Sequence, residues 1–196
     1  DDGTLFIAME YLEGRTLADV INESKRLEPA RLIHILSQVC DSLQEAHDFD
    51  LVHRDLKPEN IFLTQRGGQA DFAKVLDFGI AKLNSSSDGE LVDRLTRAGT
   101  ICGTPHYMAP EQIRDDRVDW RADIYALGVL LWELSAGRRW PAETPTQLPD
   151  SSPLAGSALE ALIMRCIAST PEERPAHAGA LLNELGPLTS PAGATA

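Results

Sequence analysis

The chain has 196 residues, 43% of them hydrophobic and 24% charged, with a formal net charge of −12. That balance fits one soluble globular domain, or a large part of one, with a sizeable core. It excludes a general nucleic-acid binder, which needs clustered Lys and Arg against phosphate, and no 18-residue apolar run offers a membrane span.

The acidic excess reads first as solubility and second as a preference for basic substrates. Cys40, Cys102 and Cys166 are odd in number and form no CxxC. They read as reduced thiols in a cytosolic compartment, not as a disulfide frame or a zinc site. The opening DDGTLFIAME carries no signal-peptide pattern and no starting Met, and is expected to be a cut end.

In chain order, Leu5–Met9 is a short apolar run that reads as a strand, leaving through Glu-Tyr-Leu-Glu-Gly into a turn. Leu17–Asn22 fits one short helix, with Lys25-Arg26 as its solvated end. Pro29 opens a longer helix through His47, with Leu32, Ile35, Leu36, Val39 and Leu43 at helical spacing. Apolar runs at 51–52 and 61–63 flank a charged loop, and Gly67-Gly68 marks a hairpin turn before Val75-Leu76.

From Asn84 to Gly103 the chain is polar and Ser/Thr-rich, too long for an ordinary connection, which points to a functional or disordered loop. Asp123–Leu134 is apolar almost all round and predicts a buried central helix. Arg138–Pro153 reads as loop, Ser157–Ala168 and Ala176–Leu185 as helices, and the end as a Pro/Gly/Ala tail or linker. His34, His47, His106 and His177 show no ligand spacing and read as ordinary, and Trp120, Trp132 and Trp140 read as packing anchors.

The charged loop is HRDLKPEN, residues 53–60. An aspartate such as Asp55 can accept a hydroxyl proton. Lys57, two residues on, can offset negative charge on a transferred group. Asn60 offers a neutral oxygen to a hard cation, and Asp77, past the hairpin, a charged one. Gly79 behind it permits a sharp turn.

HRDLKPEN, DFG at 77–79 and APE at 109–111 resemble the catalytic loop, metal-binding loop and activation-segment end of protein kinases. VLDFGIAKL and GTPHYMAPEQ are most similar to bacterial Ser/Thr kinases of eukaryotic type. The resemblance covers Leu5 to about Leu185 and implies an α+β, mainly α-helical fold: a kinase-like C-terminal lobe with the last strand of the N-terminal lobe. Residues 1–16 would be that strand and the hinge, 17–186 the lobe with its activation segment at 77–111, and 187–196 the tail.

The resemblance further implies ATP and Mg2+ as cofactors, and proteins bearing Ser or Thr as substrates. Asp55 would take the substrate proton and Lys57 would contact the γ-phosphate, while Asn60 and Asp77 hold Mg2+. Met9 would be the gatekeeper; the Glu10 carbonyl and Leu12 amide would meet adenine, above a floor of Phe62. Lys57 and Thr104, the latter in the substrate-binding loop, match the Ser/Thr branch. Thr96 and Thr100 are candidate phosphorylation sites, with Arg54 placed to pair with the phosphate. His53 and Phe78 would stack, Glu111 would pair with Arg174, and Asp123 would hold the His53–Arg54 backbone.

No G-x-G-x-x-G phosphate loop and no V-A-I-K-like strand occur in these residues. The expectation is therefore that the N-terminal lobe is supplied upstream and that this chain alone is inactive. The segment between Gly137 and Ser157 is also shorter than the family pattern by about one helix, ~10 residues, with Arg138-Arg139-Trp140-Pro141 where a Pro-Phe step is usual. Location is expected to be cytoplasmic, as a free protein or as the cytoplasmic part of a membrane-anchored kinase. The alternative to a working enzyme is a pseudokinase-like scaffold or binding module without catalysis.

Overall fold

The computed structural model describes residues 10–24, 26–78, 106–114, 117–141 and 143–189. In chain order these form β1 (Gly14–Thr16), α1 (Leu17–Ser24), α2 (Pro29–His47), β2 (Ile61–Arg66) and β3 (Gln69–Val75). Then follow α3 (Pro110–Ile113), α4 (Arg121–Ala136), α5 (Ala158–Cys166) and α6 (Ala178–Leu185), with 3-10 turns at Pro58–Asn60, Pro171–Glu173 and Gly186–Thr189. The mainly helical α+β class expected from the sequence is what is found.

Helix α4 is the axis of the molecule. Every residue from Ala122 to Ala136 is buried, as its all-round apolar sequence requires. Helix α5 lies against it at Gly128, where an added Cβ would stand 2.6 Å from the Cys166 Cβ. That close approach is why glycine occupies the middle of a buried helix. Helix α4 stops at Gly137, whose φ of 68° is the left-handed cap.

Arg26 completes that stop. Its guanidinium donates to the carbonyls of Ala136 (3.1 Å) and Ser151 (3.1 Å), placing a cation at the negative helix end. The sequence reading of Arg26 as a solvated helix end is therefore corrected: its partners lie more than 100 residues away, where local spacing cannot reveal them.

The three strands form an antiparallel sheet in the order β1-β2-β3. Gly67 and Gly68, with φ of 59° and 82°, make the two-residue turn between β2 and β3. Helix α2 grips the hairpin from below. Arg31 holds the Asp71 carboxylate through two hydrogen bonds of 2.7 and 2.9 Å. Gln38 donates to the Asp71 carbonyl (2.9 Å) and accepts from the Ala73 amide (3.2 Å). The Arg31 bonds hold the Asp71 carboxyl below its ordinary range. The strand β3, which leads on to Leu76 and Asp77, is thus fixed to α2 at Asp71 and Ala73.

Among the described residues between Gly137 and Ser157 there is neither helix nor strand. Glu160 ties this loop down by accepting from the backbone amides of Leu148 and Gly156. Trp132 and Trp140 pack edge to face with centroids 5.4 Å apart, as anchors should. Trp120 is different: it is partly exposed, and its indole donates to the Ala176 carbonyl at 2.8 Å.

Candidate active site

The charged loop is held from below by one buried carboxylate. Asp123 is fully buried on the first turn of α4. Its Oδ2 accepts from the His53 amide (2.9 Å) and its Oδ1 from the Arg54 amide (2.8 Å). Arg54 has a φ of 65°, a conformation that costs a non-glycine residue about 1–3 kcal/mol and persists only when its surroundings impose it. Asp123 supplies that imposition.

A third partner of Asp123 was not foreseen. His47, at the end of α2, places Nε2 2.8 Å from Asp123 Oδ2, and both side chains are buried. The spacing of His47 along the chain says nothing of this, because Asp123 is 76 residues away. His47 is thus a buried residue paired with Asp123.

His53 binds the loop to the strand end. Its Nδ1 accepts from the Asp55 amide (3.2 Å) and its Nε2 lies 2.9 Å from the Leu76 carbonyl. The tautomer carrying hydrogen on Nε2 satisfies both contacts at once. The Leu76 amide in turn donates to the Asn60 carbonyl at 2.8 Å. Both backbone groups of Leu76 are thus tied to the charged loop, and Asp77 follows with a φ of 56°. The rings of His53 and Phe78 stand 4.9 Å apart, tilted by 56°.

On the loop itself, Lys57 Nζ lies 2.8 Å from Asp55 Oδ2. Asn60 donates through Nδ2 to the Asp55 carbonyl (2.8 Å) and, more distantly, to Asp55 Oδ2 (3.4 Å). Both bonds use the Asn60 amide nitrogen, and among the described residues no donor meets its Oδ1. Among the described residues no donor meets Asp55 Oδ1, and the Asp77 carboxylate is exposed without a partner. Asp55, Lys57 and Asn60 are thereby joined by hydrogen bonds on one loop, and the ties of Leu76 fix the backbone that leads to Asp77.

The nucleotide-side residues are placed in part. Phe62 lies on β2 opposite Thr16 and Lys74. Gly14 passes directly over it, since a Cβ there would stand 2.8 Å from the Phe62 ring. Glu10 is exposed and ion-paired to Lys74, Tyr11 is 87% exposed, and Leu12 is half-buried. Met9, Gly79, Thr96, Thr100 and Thr104 lie outside the described residues.

Two further ties flank the site. Arg174 meets Glu111 through hydrogen bonds of 2.6 and 2.8 Å, both side chains being almost fully buried. Burial would raise the Glu111 carboxyl, but the Arg174 bonds, helped by a backbone amide, hold it below its ordinary range. Tyr107 donates to Glu133 on α4, which also accepts from the Trp140 amide at 2.8 Å. Burial first, then Glu133, pushes the Tyr107 phenol up. Neither the Tyr107–Glu133 pair nor the role of Gln112 (below) was legible beforehand, since no local pattern marks such long-range partners.

This fold and loop define a class. The Protein kinase domain family matches residues 1–184, and the chain belongs to that family. Within it, the chain is similar to the serine/threonine-protein kinase pkn3 of Myxococcus xanthus, 42% identical over 94% of this chain and 36% of that protein. The serine/threonine-protein kinase Pkn1 of the same organism is 43% identical over 92% of this chain and 27% of its own length. The crystal structure of the Mycobacterium tuberculosis PknI kinase domain matches with a TM-score of 0.69 and 25% identity, over 93% of this chain and 65% of that one. The kinship with bacterial Ser/Thr kinases of eukaryotic type expected from the motifs is borne out. The chain spans 27–36% of the length of these two Myxococcus relatives. Among the described residues no helix is long and apolar enough to cross a membrane.

Proposed function

We propose that the full-length protein transfers the γ-phosphate of ATP to serine or threonine hydroxyls of proteins. The observation that carries this reading is the hydrogen-bonded set of Asp55, Lys57 and Asn60 on one loop, held by Asp123 and His53 and tied through Leu76 to the strand end before Asp77. Asp55 Oδ1 is the acceptor for the substrate hydroxyl proton, because Oδ2 already holds Lys57 and Asn60. Lys57 stands beside the proton acceptor, where charge on the transferred group must be balanced.

The oxygens of Asn60 and Asp77 suit Mg2+, a hard cation that prefers oxygen and keeps part of its coordination for phosphate and water. When bound, Mg2+ neutralises phosphate charge. Glu10, Leu12 and Phe62 border the adenine side, with Met9 as gatekeeper. Thr96 or Thr100 takes the regulatory phosphate, which pairs with Arg54, and Thr104 meets the substrate. The phosphate-covering loop and its lysine, missing from these 196 residues, are in this reading supplied by other sequence of the full-length protein.

The metal assignment has its own test. Asp77→Asn in the full-length protein is expected to raise the Mg2+ concentration for half-maximal transfer on the order of tenfold, with the thermal midpoint unchanged. A magnesium titration identical to wild type would remove Asp77 from the site.

A further inference from the structure

Gln112 on α3 makes two hydrogen bonds that use both ends of its amide. Its Oε1 accepts from the Ala109 amide at 3.0 Å, capping the start of the short helix. Its Nε2 donates to the Arg54 carbonyl at 2.9 Å, reaching 58 residues back along the chain. One partner is a donor and the other an acceptor, so the amide has a single satisfactory orientation.

The residue it reaches is the left-handed one. Asp123 holds the Arg54 amide from the core side, and Gln112 holds the Arg54 carbonyl from the outer side. Both faces of that residue are therefore clamped. The carbonyl belongs to the peptide plane that carries the Asp55 amide, which in turn meets His53 Nδ1. Next to Gln112, Glu111 is locked to Arg174, so α3 is itself a fixed support and can transmit its position.

We propose that Gln112 is a positioning residue: it sets the Arg54–Asp55 peptide, and through it the Asp55 carboxylate, by coupling α3 to the charged loop. This rests on the reading of Asp55 as the proton acceptor. Without the Gln112 donor, the Arg54–Asp55 peptide plane keeps only the bond from the Asp55 amide to His53 Nδ1, and the carboxylate loses a fixed direction toward the substrate hydroxyl. Misplacement of a reacting group by about 1 Å is enough to cost on the order of 100-fold in rate.

Gln112→Glu separates the two bonds. Its carboxylate still accepts from the Ala109 amide but cannot donate to the Arg54 carbonyl. Gln112→Met keeps the length and loses both bonds. In the full-length protein, with Asp55→Asn as the floor, Gln112→Glu is expected to lower kcat about tenfold, leaving the KM for ATP and the thermal midpoint near wild type. Hydrogen–deuterium exchange over 53–57 should quicken in both variants. An unchanged kcat in Gln112→Glu, beside an active wild type, overturns the proposal whatever the exchange shows. If the wild type transfers no phosphate, the kinase reading is what fails. Exchange then decides the tie alone, with faster exchange in Gln112→Glu upholding it and wild-type exchange overturning it.

Discussion

Asp55→Asn in the full-length protein is expected to lower phosphate transfer by roughly 10²–10⁴-fold, the range supplied by a positioned general base, while nucleotide binding holds. The side chain keeps its size, and an amide oxygen can still accept from Lys57, which sits 2.8 Å from the present carboxylate. What is lost is the ability to take a proton. The carboxylate is 63% exposed, so its removal strands no buried group, and the folded state should be untouched. A kcat for Asp55→Asn equal to wild type would place the proton acceptor elsewhere.

Arg174→Ala is expected to cost about 3–5 kcal/mol of folding stability, because it strands a buried carboxylate. Beyond Glu111, Arg174 satisfies the carbonyls of Ala168 and Arg121, both at 2.9 Å, and lies over the Tyr125 ring at 5.0 Å. The Glu111 side chain is itself only 5% exposed, so solvent does little for its charge in place of Arg174. The pH dependence has a definite sign. The Glu111 carboxyl titrates below its ordinary 4.5 in the folded protein, so the pairing stabilises fully above pH 4.5 and is lost as the pH falls through the lowered value. Urea unfolding should therefore show a gap between wild type and Arg174→Ala that is widest near neutrality and narrows as the pH falls. The narrowing begins above pH 4.5, because in the variant burial dominates at Glu111 and raises its carboxyl. A gap under about 1 kcal/mol at neutral pH, the scale of a surface pair, would mean that Glu111 is not dependent on Arg174.

Much of the helical frame was legible in the sequence. Helix α2 announced itself through Pro29 at its first position and a regular apolar stripe. Helix α4 did so through a run with no polar face, and the β2–β3 turn through Gly67-Gly68. The short elements were not legible. β1 has three residues and exists by pairing with Phe62–Thr64, while the text around it reads as a turn. Helix α3 has four residues and is held by Gln112 and Glu111 more than by any propensity of its own.

The candidate site divides in the same way. Asp55, Lys57, Asn60 and Asp77 could be picked out because their chemistry is written in short, ordered motifs. His47, Glu133, Gln112 and Arg26 could not, because each acts on a group far away in sequence. Charged or polar residues with distant partners look the same, on the page, as solvated ones.

Phosphate transfer by the wild-type protein itself is the measurement to make: the full-length protein, Mg2+, ATP labelled in its γ-phosphate, and a protein substrate carrying Ser, Thr and Tyr. Label recovered as phosphoserine or phosphothreonine, above the level of the Asp55→Asn protein, is the expected result. A protein that binds ATP yet transfers no more label than Asp55→Asn would contradict the kinase assignment and leave a binding module in its place.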